Sequence, residues 1–331
     1  TKKGTTEGKG MHVVFNSSMS VDMPNKLPEL QNKYSQGSAG TWYGPASAGS
    51  KKKFSWGADM DTLYRNGIAN EYDPNGDIVG QSNPLKKSKV TPYDPYNFFQ
   101  NGMTYNNSIA ISNANESSSY RVSLGNVDQK GIIPKAAYNK TTFNLSGQSM
   151  ISDKLSVSAG LTFIGSGAYK IQQGSNTSGI MLGLLRTPHT FDNSFGLGHD
   201  AVNNSQAYVL ADGTQRDYRG GPGYDNPYWV VNRNPTWEDL NRVFGYGQAN
   251  YRVNEWMDLT YRLGGDVYAQ SDKSAYDIGS NGVNSGMGAV YLNDYFNRVF
   301  NSDFLVNLHR TFNSDWKGSL ILGQNYYSNV Y

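Results

Sequence analysis

The stretch "SSSYRVSLGNVDQKGIIP", residues 117–134, decides the fold because it alternates between apolar and small or polar side chains. Tyr120, Val122 and Leu124 occupy every second position, and the residues between them are Arg, Ser and Gly. Successive side chains of a β-strand point to opposite faces of the sheet, so one face of this strand is apolar. That face packs against a second sheet in a soluble sandwich and against lipid in a membrane barrel.

The same alternation recurs in nine candidate strands along the chain. Short polar turns and much longer loops alternate between them, which is typical of an antiparallel up-and-down barrel with turns on one rim and loops on the other. The sequence therefore favours the barrel, with two large extracellular loops at about 21–103 and 165–240. The candidate strands lie at 11–20, 104–113, 120–127, 139–150, 155–163, 241–253, 257–270, 291–312 and 316–328.

Composition argues against several classes of protein. The 29 Lys and Arg residues nearly balance 27 Asp and Glu residues, so we do not expect binding to nucleic acid. No segment approaches the ~20 apolar residues of a membrane-spanning helix, whereas a spanning strand needs only ~9–11 residues. The four histidines show no metal-ligand spacing, and no hydrolase, zinc-protease or phosphate-loop motif is present. We predict that the protein is not an enzyme.

Two loop stretches are rich in aromatic residues, "TWYGPASAGSKKKFSWG" (41–57) and "GGPGYDNPYWVVNRNPTW" (220–237). Exposed rings of this kind stack on sugars or anchor a protein interface. The alternative is that the same rings lie inside the loops and hold them together. The predicted substrate- or partner-contacting residues are Trp42, Tyr43, Trp56, Tyr224, Tyr228 and Trp229.

A possible calcium loop occurs at "DPNGDIVG" (73–80), where Asp73, Asn75 and Asp77 hold alternate positions. An EF-hand loop needs a Glu at its twelfth position, and that position is Pro84 here. The stretch is more typical of a Pro-Asn-Gly turn. Calcium is therefore a weak option, and we predict no other metal or cofactor.

One stretch has helical rather than strand spacing. In "GIMLGLLRTPHTF" (179–191), Ile180 and Leu184 are four residues apart, as are Met181 and Leu185. Helices end before a proline, so we expect this helix to stop before Pro188.

Short motifs that occur in order along the whole chain point to one family. "TKKG" (1–4) leads into a strand containing "FNSS", and "YRVSLGNVDQKGIIP" (120–134) follows later. The series resembles the SusC/RagA-type TonB-dependent transporters of the Bacteroidota outer membrane. Its other members are "LPELQNKYSQG", "SWG", "NFFQNGMTYNNSIAIS", "LLRTP", "NPYW" and "YRLGGDVY".

The resemblance implies that residues 1–331 are part of one transmembrane barrel domain and begin at the junction between plug and barrel. A barrel of this family has roughly 22 strands, the size class whose lumen is plugged. Nine strands cannot close such a wall, because an open edge leaves backbone groups that lipid cannot satisfy. We therefore expect the chain to be a piece of a longer protein, with a signal peptide, a plug and a TonB-contacting segment upstream.

For function, the resemblance implies active import of oligosaccharides or oligopeptides across the outer membrane, energised through TonB. A SusD-like surface lipoprotein acts as a lid on the loops in this family, and two such pairs often form a dimer. The helix at 179–191 is expected to shape the mouth of the lumen. Two alternatives remain open from the residues alone: a passive porin, and a soluble secreted carbohydrate-binding β-protein.

Overall fold

One antiparallel sheet of nine long strands dominates the computed structural model, which describes residues 10–173, 178–221, 223–312 and 315–331. Five short strands lie in the first long loop, and two α-helices lie in the second. In chain order the strands are β1 (His12–Asp22), β2 (Gly37–Ser38), β3 (Thr41–Trp42), β4 (Leu63–Arg65), β5 (Ile78–Gly80), β6 (Ser88–Lys89), β7 (Gly102–Ala114), β8 (Ser118–Lys130), β9 (Ala137–Met150), β10 (Leu155–Lys170), β11 (Thr236–Asn254), β12 (Met257–Tyr276), β13 (Ala289–Thr311) and β14 (Lys317–Val330), and the helices are α1 (Ile180–Arg186) and α2 (Pro227–Arg233).

The strand order of the large sheet follows the chain, from β1 to β7 and then in sequence to β14. All neighbouring pairs are antiparallel. Within the described residues β1 and β14 do not pair with each other, so the sheet is open. The prediction of a partial, antiparallel, up-and-down barrel is confirmed. No helix in the described ranges is long and apolar enough to cross a membrane.

Each of the nine predicted strands corresponds to one strand of the sheet, but several strands are longer than predicted. The second large loop spans 171–235 and not about 165–240, because β10 continues to Lys170 and β11 begins at Thr236. Residues 164–170 have no clean apolar alternation, yet they pair one by one with residues 236–242. Backbone hydrogen bonds therefore extend these strands beyond the segment in which apolar and polar side chains alternate. The "TKKG" motif and turn residues 313 and 314 lie outside the described residues.

The register places apolar side chains of neighbouring strands on one side of the sheet, here called the apolar face. Leu124 is paired with Ile109 of β7 and Phe143 of β9. Tyr120 and Leu124 are 44% and 48% exposed, and no second sheet covers them in the part of the chain that the structure describes. One row crosses seven strands through Phe15, Ile109, Leu124, Phe143, Phe163, Val243 and Val267.

The opposite side of the sheet, the polar face, carries hydrogen bonds between side chains of adjacent strands. Thr162 donates to Asn144 (2.9 Å), and Asn144 donates to Ser123 (3.4 Å). Further along, the Arg242 guanidinium pairs with the Asp266 carboxylate. Many polar groups on this face are thus satisfied across strands. The buried side-chain oxygens of Asn297 and Asn329 are exceptions, since they have no hydrogen-bond partner among the described residues.

Two glycines of β11 provide a matched test of the strand packing. A Cβ at Gly245 would lie 2.3 Å from the carbonyl oxygen of Gly160, whereas a Cβ at Gly247 would meet nothing within 4 Å. That carbonyl belongs to the β10 backbone and cannot move without disturbing the ladder. We expect Gly245→Ala to lower the free energy of unfolding by about 1–3 kcal/mol and Gly247→Ala to leave it nearly unchanged. Urea unfolding followed by tryptophan fluorescence measures both, and equal midpoints would contradict the packing described.

Candidate functional site

The long connections lie at one rim of the sheet and pack into a single unit, here called the loop body. It consists of the described residues of 23–101, 131–136, 171–235 and 277–288. Its main hydrophobic core draws on three of these connections. The buried core residues are Phe98, Phe99, Ile133, Ile180, Leu184, Ala201, Ala207, Tyr208, Tyr228, Trp229, Val230 and Val231.

Both helices serve this core. α1 buries Ile180 and Leu184, which lie one turn apart, and it ends before Pro188 as the sequence predicted. α2 was missed by the sequence analysis. The Asn226 side chain caps it by accepting a hydrogen bond from the Tyr228 amide (2.9 Å), and Pro227 occupies its first turn. An Asn-Pro pair before apolar residues is the signal that could have revealed this helix.

Tyr228 and Trp229 of α2 are buried, each only 2% exposed. The Trp229 indole donates a hydrogen bond to the Ser280 hydroxyl (2.8 Å), in the connection between β12 and β13. The Tyr228 ring lies 5.0 Å from the ring of Phe98, edge to face. These two predicted contact residues therefore hold the loop body together, which is the alternative that the sequence left open.

The other four predicted contact residues lie nearer the surface, three of them beside Gln36 and Gly37 at the start of β2 and the fourth, Tyr224, in the second long loop. Trp42 packs against the small core of the first loop, and Tyr43 lies beneath the Lys51 ammonium at 5.2 Å. Trp56 is 62% exposed. Tyr224 is partly buried beside two arginines. The structure does not gather the six aromatic residues into one site, and their binding role stays a prediction.

Arg216 is a central residue that sequence reasoning did not find. It is fully buried, and its guanidinium donates to the carbonyls of Ala207 (2.9 Å), Asp192 (2.8 Å) and Tyr72. It also lies 4.4 Å from the centre of the Phe191 ring. Burial lowers the pKa of Arg216 to about 10, so it is still charged at neutral pH. Because Tyr72 belongs to the first long loop, this one side chain ties the two large loops together.

Asp225 forms a second buried link. Its carboxylate accepts hydrogen bonds from the Ser178 hydroxyl (2.5 Å), the Gln215 amide (2.9 Å) and the backbone amide of Asn281 (2.9 Å). Burial raises the pKa of Asp225. The link joins the second long loop to the connection between β12 and β13.

The possible calcium loop is occupied by contacts within the protein. The Asp73 carboxylate forms a buried ion pair with Arg65 and accepts from the Asn75 amide (2.7 Å). Asp77 accepts from the Asn70 side chain (2.7 Å). Across the described ranges, no group of three or more His, Cys, Asp or Glu residues could hold a metal. The calcium option at this loop gains no support from the geometry.

Buried Asp217 gives the loop body a dependence on pH. Burial raises its pKa to about 7, whereas an Asp in the unfolded chain has a pKa of about 3.9. The folded state holds the proton more tightly, so the stability that Asp217 contributes is full below about pH 4 and is lost as the pH rises to about 7. We expect Asp217→Asn to remove this loss, and so to be more stable than the wild type at pH 8 and nearly equal at pH 4. Hydrogen exchange of the loop amides at pH 4 and pH 8 measures the stability of the loop body in both proteins.

The control for this prediction is Asp212→Asn. Hydrogen bonds from Thr214 lower the pKa of Asp212, and the side chain is exposed, so its replacement should not relieve the loss of stability at high pH. Asp73 and Asp225 also have raised pKa values, so the stability of Asp217→Asn should still depend partly on pH. An unchanged pH profile in Asp217→Asn would show that this carboxyl is not the group responsible.

Solved structures of a peptide importer are similar in fold to this chain. The RagAB peptide importer aligns in its closed-closed state (TM-score 0.63, 17% identity) and in its open-open state (0.61, 18%), each over 99% of this chain and 35% of that chain. A structure of the RagAB peptide transporter aligns with TM-score 0.63 and 16% identity, over 99% and 36%. No protein-family profile and no curated protein matches the sequence. This chain therefore has the fold of about one third of a RagAB chain.

Proposed function

We propose that this chain is part of the wall and the loop body of an outer-membrane importer, with the apolar face in contact with lipid. The continuous, uncovered apolar face carries the proposal. Soluble monomers rarely expose apolar patches larger than a few hundred Å², and larger ones mark contacts with protein or membrane. Lipid is the covering that suits a sheet whose backbone groups are already paired along its length.

The height of the apolar face fits a bilayer. On β10, outward positions from Leu155 to Phe163 are apolar or small, and they span roughly 26 Å along the strand. This is the scale of the ~25 Å apolar band of outer-membrane barrels. Beyond it, Gly165 and Gly167 face polar residues of β9 and β11. The upper parts of β10 and β11 would then stand in water above the membrane.

Aromatic side chains lie at the end of this band that is near the short turns. Trp256 and Trp316 are exposed there. Amphipathic rings suit a headgroup layer, so their positions support a membrane-spanning wall. The rings of Tyr169 and Trp237, which meet edge to face at 6.1 Å, lie about 20 Å beyond Phe163 and belong to the upper part of the strands.

A larger barrel follows from the edges of the sheet. β1 and β14 each have one side without a partner among the described strands, and hydrocarbon cannot satisfy such backbone groups. We infer that further strands complete the wall, as the greater length of the RagAB chains suggests. The proposed domain organisation is one barrel domain to which all 331 residues belong.

The importer proposal assigns the chain to the SusC/RagA type, with uptake of oligopeptides or oligosaccharides energised through TonB and a SusD-like lipoprotein over the loops. It is supported by the sequence motifs and by alignment of 99% of the chain with a peptide importer. No catalytic role is proposed. A passive porin is less well supported because it needs no plug, whereas "TKKG" resembles the junction between plug and barrel. A soluble glycan-binding protein does not explain the exposed apolar face.

The lipid contact is tested by a charge placed on either face of β10. Leu161 lies on the apolar face near the middle of the band, and Ser158 lies on the polar face. We expect Leu161→Arg to destabilise the full-length protein in liposomes by about 2–4 kcal/mol, and Ser158→Arg by much less. Urea unfolding in liposomes measures both. A full-length protein that is monodisperse without detergent, with both variants equally stable, would favour the soluble alternative.

Active import is tested by uptake into cells that express the full-length protein. We expect accumulation of labelled oligopeptides or oligosaccharides to stop when a protonophore collapses the inner-membrane gradient, because TonB coupling depends on it. The control is a small solute that enters through general porins, and the protonophore should not change its rate of entry. Uptake that continues without the gradient would identify a passive channel. Purification of the protein from its native membrane without a surface lipoprotein would contradict the proposed lid.

A further inference from the structure

Two arginines of the loop body meet at one tyrosine. The Arg186 guanidinium lies 4.4 Å from the centre of the Tyr224 ring, and the Arg219 guanidinium lies 4.6 Å from it. Arg186 comes from the last turn of α1, whereas Arg219 and Tyr224 come from the chain that precedes α2. Arg219 also donates from Nε to the Tyr218 hydroxyl (3.1 Å). Both cations are thus held in place by aromatic side chains.

Neither arginine forms an ion pair with an acidic residue that the structure describes. The ion pairs found in the described ranges include Arg65, Arg233 and Arg242, but neither Arg186 nor Arg219. Asp217 is close in sequence, but its carboxylate accepts from the backbone amide of Arg219 (2.6 Å) instead.

A third cation lies beside the same turn. The Lys52 ammonium donates to the carbonyls of Gly220 (3.3 Å) and Pro45 (3.0 Å). Three cations therefore lie close to Arg219 and Gly220. The nearby carboxylates of Asp217 and Asp225 are buried and accept hydrogen bonds from other donors, so their oxygens do not pair with these cations.

Such a cluster attracts anions. Like charges held near one ring repel each other, and this repulsion is relieved by a negative group placed between them. A guanidinium that stacks on a ring keeps its N–H groups in a fixed plane, which matches the two oxygens of a carboxylate. Arg186 is exposed, so a ligand can reach it from solvent.

We propose that Arg186 and Arg219, positioned by Tyr224, bind a carboxylate of the imported molecule. The inference rests on the proposed import function and adds to it a substrate chemistry: oligomers with a free carboxylate are preferred over neutral ones. The carboxylate comes either from a peptide, at its C-terminus or on an acidic side chain, or from a uronic acid of an oligosaccharide. The shared chemistry is a planar monoanion.

Two pairs of probes distinguish these sources, with binding to the purified full-length protein measured by calorimetry. The peptide arm compares a short alanine oligomer bearing a free C-terminal carboxylate with its C-terminal amide. The sugar arm compares an oligogalacturonate with its methyl ester. In at least one arm the wild type should bind the acid more tightly than its neutral counterpart. Arg186→Gln and Arg219→Gln should each weaken binding of that acid roughly tenfold while leaving the neutral form unchanged.

Arg233→Gln is the matched control. Arg233 also lies over an aromatic ring, that of Trp229 at 5.7 Å, but it already forms an ion pair with Asp277 (3.2 Å). Its replacement should leave the acid preference intact. Urea midpoints check that the three variants fold.

The inference is overturned by three results. They are a wild type that shows no acid preference in either arm, a preference that survives in the Arg186→Gln, Arg219→Gln double variant, and an equal loss in Arg233→Gln. Energised uptake is measured separately and does not depend on either probe pair. If the binding test fails, the importer proposal still stands. If the uptake test fails, the importer proposal is wrong whatever the two arginines bind.

Discussion

The continuous antiparallel ladder from β1 through β7 to β14 is the constraint on which the rest of the structure depends. Backbone hydrogen bonds of neighbouring strands satisfy one another, so side chains alone decide what each face can meet. Because the side-chain period is two, a shift of β8 by one residue would move Tyr120, Val122 and Leu124 to the polar face together and separate Leu124 from Phe143. The matched register keeps apolar side chains in rows across strands, and this makes one face suitable for hydrocarbon.

The loop body lacks the regular backbone hydrogen bonds of the sheet. Most of its backbone is neither strand nor helix, so its buried carbonyls need hydrogen-bond donors from side chains. Arg216 supplies several donors at once, and Asp225 supplies acceptors for a hydroxyl, an amide side chain and a backbone amide. An apolar core alone could not hold these loops, because removing either side chain would leave buried polar groups unpaired, at a cost of about 1–3 kcal/mol each.

Sequence patterns predicted the sheet well and the loop body poorly, for a physical reason. The alternation that identifies Leu155–Phe163 as a strand reflects the different polarity of the two faces, and that contrast is present locally in the sequence. Residues 164–170 continue β10 to Lys170 through backbone pairing and have no such contrast. The roles of Arg216 and Trp229 depend on partners far away in sequence, such as Tyr72 and Ser280. No local pattern encodes such partners.

Residues at the junction between the sheet and the loop body tolerate substitution less well than exposed residues of the loop body. Gln172 donates to the Thr236 hydroxyl (2.9 Å) and accepts from the Tyr276 hydroxyl (2.6 Å), so the tops of β10, β11 and β12 meet at one buried side chain. Changing such a residue would disturb three strands together. Trp56 and Arg186 are exposed and bear no comparable share of the fold. The exposed positions can therefore change without loss of the fold, and any role in binding that they have can change with them.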